Sequence, residues 1–373
     1  MSQPLTRPPL SRRAVLAGAG AGALAGCVRA APPRPAPVID GLSFLPDDLS
    51  QVGAAGLDAM ICDVSEVEEV RDAGGVPRYL RTFERNDAAL DRAVARLARA
   101  GDAAFVALKG SDIGKRPGCA AFLQFQSCET VGTDLSRIAR FHAKGLRVLQ
   151  FTHHNSNAFA GGALERAPTG LTPLGRDGLA EMNRLRMLPD VSHGSDATIA
   201  EAAAASRTPI VYSHGACRAI VDHPRCITDA NIRAIAGRGG VVGIFMMSFW
   251  LTRDAVPTVD HLIANIRHAV RVGGIEAVGI ANDFPMAGQE NLVKLGNDNA
   301  AGVKEYLPWW TAMRDSGIPG FAELPRHVVI PGLNDIHRMA TIRAALERAR
   351  FSGRDIDRIM GRNWQRVLTD VLG

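Results

Sequence analysis

The stretch Leu146–His153, LRVLQFTH, indicates the fold, because a run of aliphatic and β-branched residues ends on a histidine. A similar arrangement recurs where MLPDVSH ends at His193, where PIVYSHG carries His214, and where AVGIAND ends at Asp283. Short apolar runs of this kind predict buried strands. In a closed parallel barrel the carboxyl ends of the strands share one rim. We therefore expect these four side chains to converge on one site.

Working outward from these runs, strand-like and helical patterns alternate along the chain. The helical patterns include Asp87–Gly101, with Asp87 as its N-cap, and helices that open at Thr172-Pro173 and at Thr258. This alternation predicts an α/β fold of the (β/α)8 TIM-barrel type. An open doubly wound sheet is the alternative, but it more often carries a glycine-rich phosphate loop after its first strand, and none is seen here. The strand-like runs are 37–41, 57–63, 120–126, 146–153, 187–193, 209–214, 240–247 and 277–282.

Two long segments fit no simple strand–helix unit. Residues 64–86 are polar, and residues 284–330 hold Tyr306, Trp309 and Trp310 among glycines and prolines. Loops of this length in a compact domain are usually functional. We expect the second segment to be an insertion that forms either a lid over the site or a small packed subdomain.

The first 26 residues predict an export signal. Arg12-Arg13 match a twin-arginine motif, and the apolar stretch that follows is too short and glycine-rich to span a bilayer. Leu24-Ala25-Gly26 precede Cys27 as in a lipoprotein box, and ordinary cleavage a few residues later is the alternative. We expect a linker at residues 27–36 and a single barrel domain at residues 37–373. The protein is expected in the periplasm or cell envelope, held at the membrane only by a lipid on Cys27.

Composition argues against nucleic-acid binding and against a disulfide scaffold. The chain has 43 Lys+Arg and 38 Asp+Glu. Three of the arginines lie in the signal, so the remainder is close to neutral and lacks a basic footprint. Of the six cysteines, five remain if Cys27 carries a lipid, and none forms a CxxC pair.

Segments spread in order from Val38 to the C-terminus resemble the membrane (renal-type) dipeptidases, which are zinc peptidases with a (β/α)8 barrel. These segments are VIDG, GLRVLQFTHHNSN, GLTPLGRDGLAEMNRL, PDVSH, IVYSHGACRAI with HPRCITD, AVGIANDF and GRNWQRVL. Dipeptidases of that family use two zinc ions bridged by a glutamate. The resemblance implies that His193 and His214 hold one ion, with Asp283 beside them as a ligand or as the catalytic proton carrier. It also implies that His153 and Arg225 bind a small dipeptide-like substrate, His153 as a second catalytic residue.

The neighbouring His154 is expected to point away from the site, because side chains alternate along a strand. Cys128 and Cys217 follow Gln126 and His214 closely in sequence. We expect them to be small buried residues, with soft-metal ligation, a disulfide or a nucleophilic role as alternatives.

Three positions depart from the family pattern. Leu42 and Phe44 stand where the resemblance places a histidine and an aspartate, and Gln126 stands at the position of the bridging glutamate. Two apolar groups and a neutral amide cannot offset the repulsion between two close divalent ions. We therefore expect the first metal site to be lost and one divalent ion, zinc, to remain at the second.

Three functions stay open on this evidence. The first is hydrolysis of a dipeptide or similar small amide with one metal ion. The second is a tailoring or maturation step on an exported peptide-derived metabolite, and the third is binding without catalysis. The fold alone does not choose among them, because function depends on the site. A homodimer is also left open.

Overall fold

The computed structural model describes residues 35–71 and 77–373. Residues from Ala36 to Gly373 form one compact unit. The predicted signal at residues 1–26, the predicted lipidation site Cys27 and the linker up to residue 34 lie outside the described residues. In the described part of the chain, no helix is both long and apolar enough to cross a membrane.

Eight parallel strands form a barrel at the centre of the fold. The strands of the described residues are β1 (Ile39–Phe44), β2 (Ala59–Asp63), β3 (Glu68–Arg71), β4 (Pro77–Leu80), β5 (Ala104–Val106), β6 (Cys119–Phe125), β7 (Leu146–Gln150), β8 (Leu188–Asp190), β9 (Val211–Gly215), β10 (Val241–Ile244) and β11 (Val278–Ile280). Neighbours follow the order β1-β2-β6-β7-β8-β9-β10-β11, all parallel, with β5 beside β6. The eight predicted strands are present, and the predicted (β/α)8 barrel is confirmed.

The barrel closes between β11 and β1 through hydrogen bonds to a buried carboxylate. The backbone N–H and the side-chain Nδ2 of Asn282 donate to Asp40 at 2.8 and 2.6 Å. The N–H of Asp283 donates to the carbonyl of Leu42 at 3.0 Å. Burial raises the pKa of Asp40 to about 6, although the bonds from Asn282 act in the opposite direction. Asp40 thus links the first and last strands of the barrel below the rim.

Helices surround the strands. Those of the described residues are α1 (Ser50–Ala54), α2 (Phe83–Ala98), α3 (Ser136–Ala143), α4 (Pro173–Leu185), α5 (Asp196–Ala205), α6 (Asp229–Gly237), α7 (Ser248–Leu251), α8 (Val259–Gly273), α9 (Glu290–Lys294), α10 (Asn299–Asp315), α11 (Arg338–Arg348), α12 (Gly353–Asp357) and α13 (Asn363–Leu372). Helices α4 and α8 begin where the sequence predicts, directly after Thr172 and Thr258. The Thr172 side chain accepts the N–H of Gly175 at 3.0 Å, and the N–H of Thr258 donates to Nδ1 of His261 at 3.0 Å, so each helix start has a local side-chain hydrogen bond.

The predicted N-cap of α2 was wrong. The helix begins at Phe83, directly after Thr82, whose extended backbone precedes the first turn. Asp87 therefore lies inside the helix, where its carboxylate forms ion pairs with Arg140 and Lys144, both at 2.8 Å. A tertiary ion pair explains the aspartate at this position.

The C-terminal helix fills the floor of the barrel. Trp364 on α13 is fully buried, and its Nε1 donates to the carbonyl of Ile280 at 2.9 Å. A Cβ at Gly41 or Gly279 would lie 2.2 or 2.3 Å from the indole ring, so only glycine fits at these two strand positions. This packing explains the terminal GRNWQRVL segment and places the open end of the barrel at the opposite rim.

Both long segments are structured where they are described. Segment 64–86 contains the hairpin of β3 and β4, which the sequence did not predict. Segment 284–330 contains α9 and α10, and it packs as a small subdomain through Trp310, whose Nε1 donates to the carbonyl of Phe321 at 3.1 Å. The adjacent Trp309 faces His154, with 5.8 Å between ring centroids. The segment is therefore packed against the protein and also borders the rim.

Candidate active site

The carboxyl ends of β7, β8 and β9 bring three strand-end histidines together. His153 lies beyond the end of β7, His193 lies beyond β8, and His214 lies within β9. The rings of His153 and His193 stack with 4.3 Å between centroids, and those of His193 and His214 are 4.8 Å apart. Asp283 follows β11 on the same rim.

His193 lies at the centre of this cluster. Its Nε2 atom is 2.7 Å from Nε2 of His214, and its Nδ1 atom is 3.1 Å from Nδ1 of His154. Ring nitrogens of His153, His154 and His193 also lie within 4.8 Å of one another. Four imidazoles thus share a small volume, and imidazole is a ligand type that suits zinc, copper, iron and nickel.

His154 points into the cluster, and the expectation that it points away was wrong. Strand β7 ends at Gln150, before the histidine pair, so strand alternation does not apply there. His154 has a left-handed backbone with φ of 63°, and its carbonyl accepts the N–H of Leu164 at 2.9 Å. A turn therefore places both His153 and His154 against His193.

Backbone strain marks this rim. His154, His193 and Asp283 have φ values of 63°, 62° and 56°, in the left-handed region that disfavours residues with a Cβ. Each such residue costs about 1–3 kcal/mol and persists only where its surroundings fix it. Strain of this kind clusters at functional sites, so its concentration on three rim residues supports a functional role for the rim.

All four histidines of the cluster are held neutral. Burial lowers the pKa of each well below its ordinary value, and nearby guanidinium groups add to the effect. Arg225 contributes the largest charge effect at three of them, and Arg81 does so at His153. A neutral imidazole has the lone pair that a metal ion requires.

A buried carboxylate fixes the tautomer of His214. Asp190 accepts the Ser213 hydroxyl at 2.5 Å, Gln124 Nε2 at 2.6 Å, and the N–H groups of Ser192 and Ser213 at 2.9 and 3.1 Å. Burial raises the pKa of Asp190, but the hydrogen bonds from Ser213 and Ser192 act in the opposite direction. Four donors directed at its two oxygens favour the ionised form, which can only accept. Ser213 Oγ also lies 2.8 Å from His214 Nδ1, and because its own proton goes to Asp190, it accepts from Nδ1–H. Nε2 of His214 is therefore the unprotonated nitrogen.

Arg225 is a fully buried cation beside the histidines. Its NH1 group donates to the Tyr212 hydroxyl at 2.7 Å, and NH2 donates to the carbonyl of His214 at 3.1 Å. The guanidinium lies 5.3 and 5.6 Å from the ring centroids of Phe245 and Trp250, whose faces favour a cation. Among the residues that the structure describes, its buried Nε–H has no hydrogen-bond partner, so this donor can serve a ligand.

Asp283 lies on the rim and forms no hydrogen bond or ion pair with the four imidazoles. Burial raises its pKa to about 7, although Arg225 acts in the opposite direction. Among the described residues its carboxylate accepts no hydrogen bond and forms no ion pair, whereas its backbone N–H is bound to Leu42. The structure thus places Asp283, the predicted proton carrier, on the same rim as the histidines, with its carboxylate oxygens unengaged among the described residues.

The positions of the first family metal site offer no anionic ligand. Leu42 is fully buried, Phe44 is half-buried, and Gln126 is buried with an Nε2 donor that has no partner in the described part of the chain. An amide nitrogen with bound hydrogens has no lone pair for a metal. These three residues therefore do not fit a carboxylate-bridged metal pair, whereas the neutral imidazoles around His193 fit a single divalent ion.

Asp63 and Arg81 bring charges to this side of the rim, and the sequence reasoning missed both. Ser65 donates to Asp63 through its hydroxyl at 2.7 Å and its N–H at 3.0 Å. Burial raises the pKa of Asp63 and lowers that of Arg81, which lies near both Asp63 and Glu129. Asp63 ends a strand-like run just as His193 does, so the same signal could have found it. Arg81 carried no comparable signal.

The cysteines near the rim are small buried residues, as expected. Cys128 and Cys217 are both fully buried and free, as are the other described cysteines. Burial raises the pKa of both thiols, which disfavours the thiolate needed for nucleophilic attack or metal binding.

Comparison with known proteins identifies a family whose profile matches this chain. The profile described as "Membrane dipeptidase (Peptidase family M19)" matches residues 92–301, which is more than half of the chain. The dipeptidase tcpJ of Claviceps purpurea (strain 20.1) is 27% identical over 259 residues, covering 68% of this chain and 51% of the relative. The dipeptidase verJ of Clonostachys rogersoniana is 34% identical over 145 residues, covering 38% of this chain and 36% of the relative. The chain thus spans about half or less of the length of these curated relatives.

Solved structures share the fold over nearly the whole chain. An amidohydrolase from Pseudomonas aeruginosa superposes with a TM-score of 0.74 at 23% identity, covering 91% of this chain and 97% of the other. A metallopeptidase from Rhodobacter sphaeroides, liganded with a phosphinate mimic of the dipeptide L-Ala-D-Ala, gives 0.69 at 18% identity, covering 90% and 99%. At these identities the likeness supports the barrel alone.

Proposed function

The chain belongs to the membrane dipeptidase family, peptidase family M19, and from that membership we propose that it is a hydrolase of a dipeptide or similar small amide that works with one divalent metal ion. The observation that carries the proposal is the approach of two neutral imidazoles, His193 and His214, whose Nε2 atoms share a hydrogen bond at 2.7 Å. An ion would take the place of the shared proton when His193 carries its own proton on Nδ1. These two residues match the histidine ligands of the family's second metal site.

We assign the ion, zinc by family analogy, to His193 and His214, with Asp283 on the same rim. Such an ion would polarise the scissile carbonyl and make water a stronger nucleophile at neutral pH. The anchor from Asp190 through Ser213 keeps Nε2 of His214 unprotonated, so this nitrogen is ready to serve as a ligand. Asp283 is either a third ligand or the proton acceptor, and its unengaged carboxylate favours the second role.

Arg225 and His153 would position the substrate. The free Nε–H of Arg225 is a buried donor suited to a carboxylate or carbonyl oxygen of a small peptide. His153 stacks on His193 and is only half-buried, so its ring can face a ligand beside the ion. Both residues hold the substrate in register with Asp283, which is the protein's main contribution in a site of this type.

The proposal of one ion rather than two rests on the residues at the positions of the family's first metal site. Leu42, Phe44 and Gln126 supply no negative charge to hold a second ion next to the first. The same three departures favour, as a second candidate, a tailoring or maturation step on an exported peptide-derived metabolite. Binding without catalysis is the third outcome that the experiment must separate.

The test is a hydrolysis screen with metal-loaded protein. The full chain, stripped with a chelator and reloaded with zinc, is incubated with a panel of dipeptides, and released amino acids are measured. The proposal predicts release that is lost in His193→Ala and kept in His337→Ala, a change at an exposed histidine on the protein surface. Zinc binding without release from any dipeptide would contradict dipeptidase activity and favour the second candidate, and no binding of zinc would favour the third.

We also propose that the protein is exported by the twin-arginine route and held at the membrane by a lipid on Cys27. The support is the sequence alone, namely Arg12-Arg13 and the Leu24-Ala25-Gly26-Cys27 segment. A folded, metal-loaded barrel is the kind of cargo that this route carries.

A further inference from the structure

His193 presents both of its ring nitrogens to other histidines. Nε2 faces His214 at 2.7 Å, and Nδ1 faces His154 at 3.1 Å. The surroundings of the two ring nitrogens differ in burial. His214, next to Nε2, is fully buried, whereas His154, next to Nδ1, and the adjacent His153 are half-buried. The proposed catalytic ion uses only the deeper, Nε2 side, so the Nδ1 side has no assigned role.

The hydrogen bonds fix which nitrogen of His193 carries the proton. Asp190 takes the hydroxyl proton of Ser213, and Ser213 accepts from Nδ1–H of His214. Nε2 of His214 must then accept, and the only donor at 2.7 Å is Nε2–H of His193. A neutral imidazole has one proton and one lone pair. The lone pair of His193 therefore lies on Nδ1 and is directed at His154.

We propose that His153, His154 and Nδ1 of His193 form a second binding position for a divalent transition-metal ion. One ring nitrogen from each of His153, His154 and His193 lies within 4.8 Å of the other two. Two nitrogens bound to one tetrahedral zinc lie about 3.3 Å apart, and the Nδ1 atoms of His154 and His193 are already at 3.1 Å. An ion here leaves the chain of bonds from Asp190 to His193 intact, and requires that His154 carry its proton on Nε2. It also requires that the ring of His153 turn out of its stack on His193, so that the ligand nitrogens close from a spread of up to 4.8 Å.

The two positions exclude each other while His193 stays neutral, because its single lone pair lies on one nitrogen at a time. The chain therefore binds one ion at saturation, either with His214 or with His153 and His154. The half-buried position is the one that an ion arriving from solvent meets first. This inference concerns ion binding alone, and it holds whether or not the protein cleaves dipeptides.

The experiment separates the two sides by substitution. His214→Gln removes the imidazole of the deeper position and keeps an amide oxygen that can accept from His193 Nε2–H. The full chain and its variants are stripped, saturated with zinc, passed through gel filtration and analysed for zinc per chain. Copper(II) is then titrated into the same proteins, and nitrogen couplings in its EPR spectrum count the bound imidazoles. His337→Ala is the matched control for surface histidines, and circular dichroism checks that each variant is folded.

We expect one zinc in the wild type and one in His214→Gln, where copper(II) shows three imidazoles. Adding His154→Gln to His214→Gln should weaken zinc binding at least about 100-fold, whereas His154→Gln alone should keep one ion at the position next to His214.

If His214→Gln binds no zinc while the wild type binds one, the contact between Nδ1 of His193 and Nδ1 of His154 at 3.1 Å is only a hydrogen bond. The second position is then refuted, and the proposed function is unaffected. If the wild type itself binds no zinc, both proposals fail.

Discussion

The Nε2 atoms of His193 and His214 face each other at 2.7 Å. The buried carboxylate of Asp190 determines which of the two nitrogens carries the shared proton. Asp190 acts through Ser213, which holds the proton of His214 on Nδ1. The lone pairs of His214 and His193 are thus set by a buried aspartate that contacts neither imidazole directly. Residues of this kind often tune metal affinity as strongly as some ligands do.

The first prediction follows from that anchor. Asp190→Asn replaces one acceptor oxygen by an NH2 group that faces the donors of Ser213 or Gln124. We expect zinc affinity to fall about 10–100-fold, and the free energy of unfolding to fall by about 1–3 kcal/mol because buried donors lose a partner. Competition with a chelating dye and urea unfolding measure the two effects. Asp177→Asn, at an exposed position on α4, is the control and should change neither quantity; equal affinity in Asp190→Asn and wild type would contradict the anchoring role.

The second prediction restores the missing ligands. Leu42→His, Phe44→Asp and Gln126→Glu together recreate the set that the family resemblance implies. We expect the triple variant to bind a second zinc and to gain dipeptidase activity, because a bridged pair of ions activates water and holds the scissile carbonyl. Without zinc it should be less stable than the wild type, since ionisable groups would replace the fully buried Leu42 and the half-buried Phe44.

Zinc content by mass spectrometry and thermal unfolding with and without zinc check this second prediction. Gln126→Glu alone serves as the control, because one carboxylate should not hold a second ion. A folded triple variant that still binds a single ion would show that the rim has diverged beyond these three positions.

The sequence predicted the barrel well because its strands are buried on both faces. Continuous apolar runs such as Leu146–Gln150 give a signal that depends only on composition and length. The hairpin of β3 and β4 was not predicted, because each of its strands has four residues and carries charged residues. A strand of that length has too few positions to show a clear period.

The site was predicted less completely, for a different physical reason. His193, His214 and Asp283 could be selected as candidates from the sequence, because each is a polar residue that directly follows or ends an apolar run. His154 was assigned the wrong direction because a left-handed backbone at a histidine has no signature in sequence. Arg81 reaches the rim from a long segment, and such an approach depends on tertiary packing alone.

The third prediction concerns pH and Asp40. Burial raises its pKa to about 6 from an ordinary 3.8, so the folded state favours the protonated form. The resulting stabilisation is fully present below about pH 4 and is lost as pH rises through 6, a change of about 3 kcal/mol. Asp40→Asn removes this titration and one bond to Asn282. We therefore expect the stability of Asp40→Asn relative to wild type to increase between pH 4 and pH 7, as measured by urea unfolding. Parallel pH profiles for the two proteins would contradict the assigned cause.

The fourth prediction concerns location. Cys27→Ala should move the protein from the membrane fraction to the soluble fraction of the cell envelope, because the proposed lipid is attached through that thiol. Arg12→Lys combined with Arg13→Lys should instead stop export. Fractionation followed by immunoblotting measures both. Cys62→Ala, at a buried free cysteine of the barrel, is the control and should leave the location unchanged. Retention of Cys27→Ala on membranes after a salt wash would contradict the lipid anchor.

The central claim, a single divalent ion held by the imidazoles around His193, is tested most directly by the metal content of the full chain purified without added metal. We predict one zinc per chain, lost in His193→Ala and retained in His337→Ala. Two zinc ions per chain would contradict the reading of Leu42, Phe44 and Gln126 as a lost site. No zinc, with none bound after reloading, would contradict the metal centre itself.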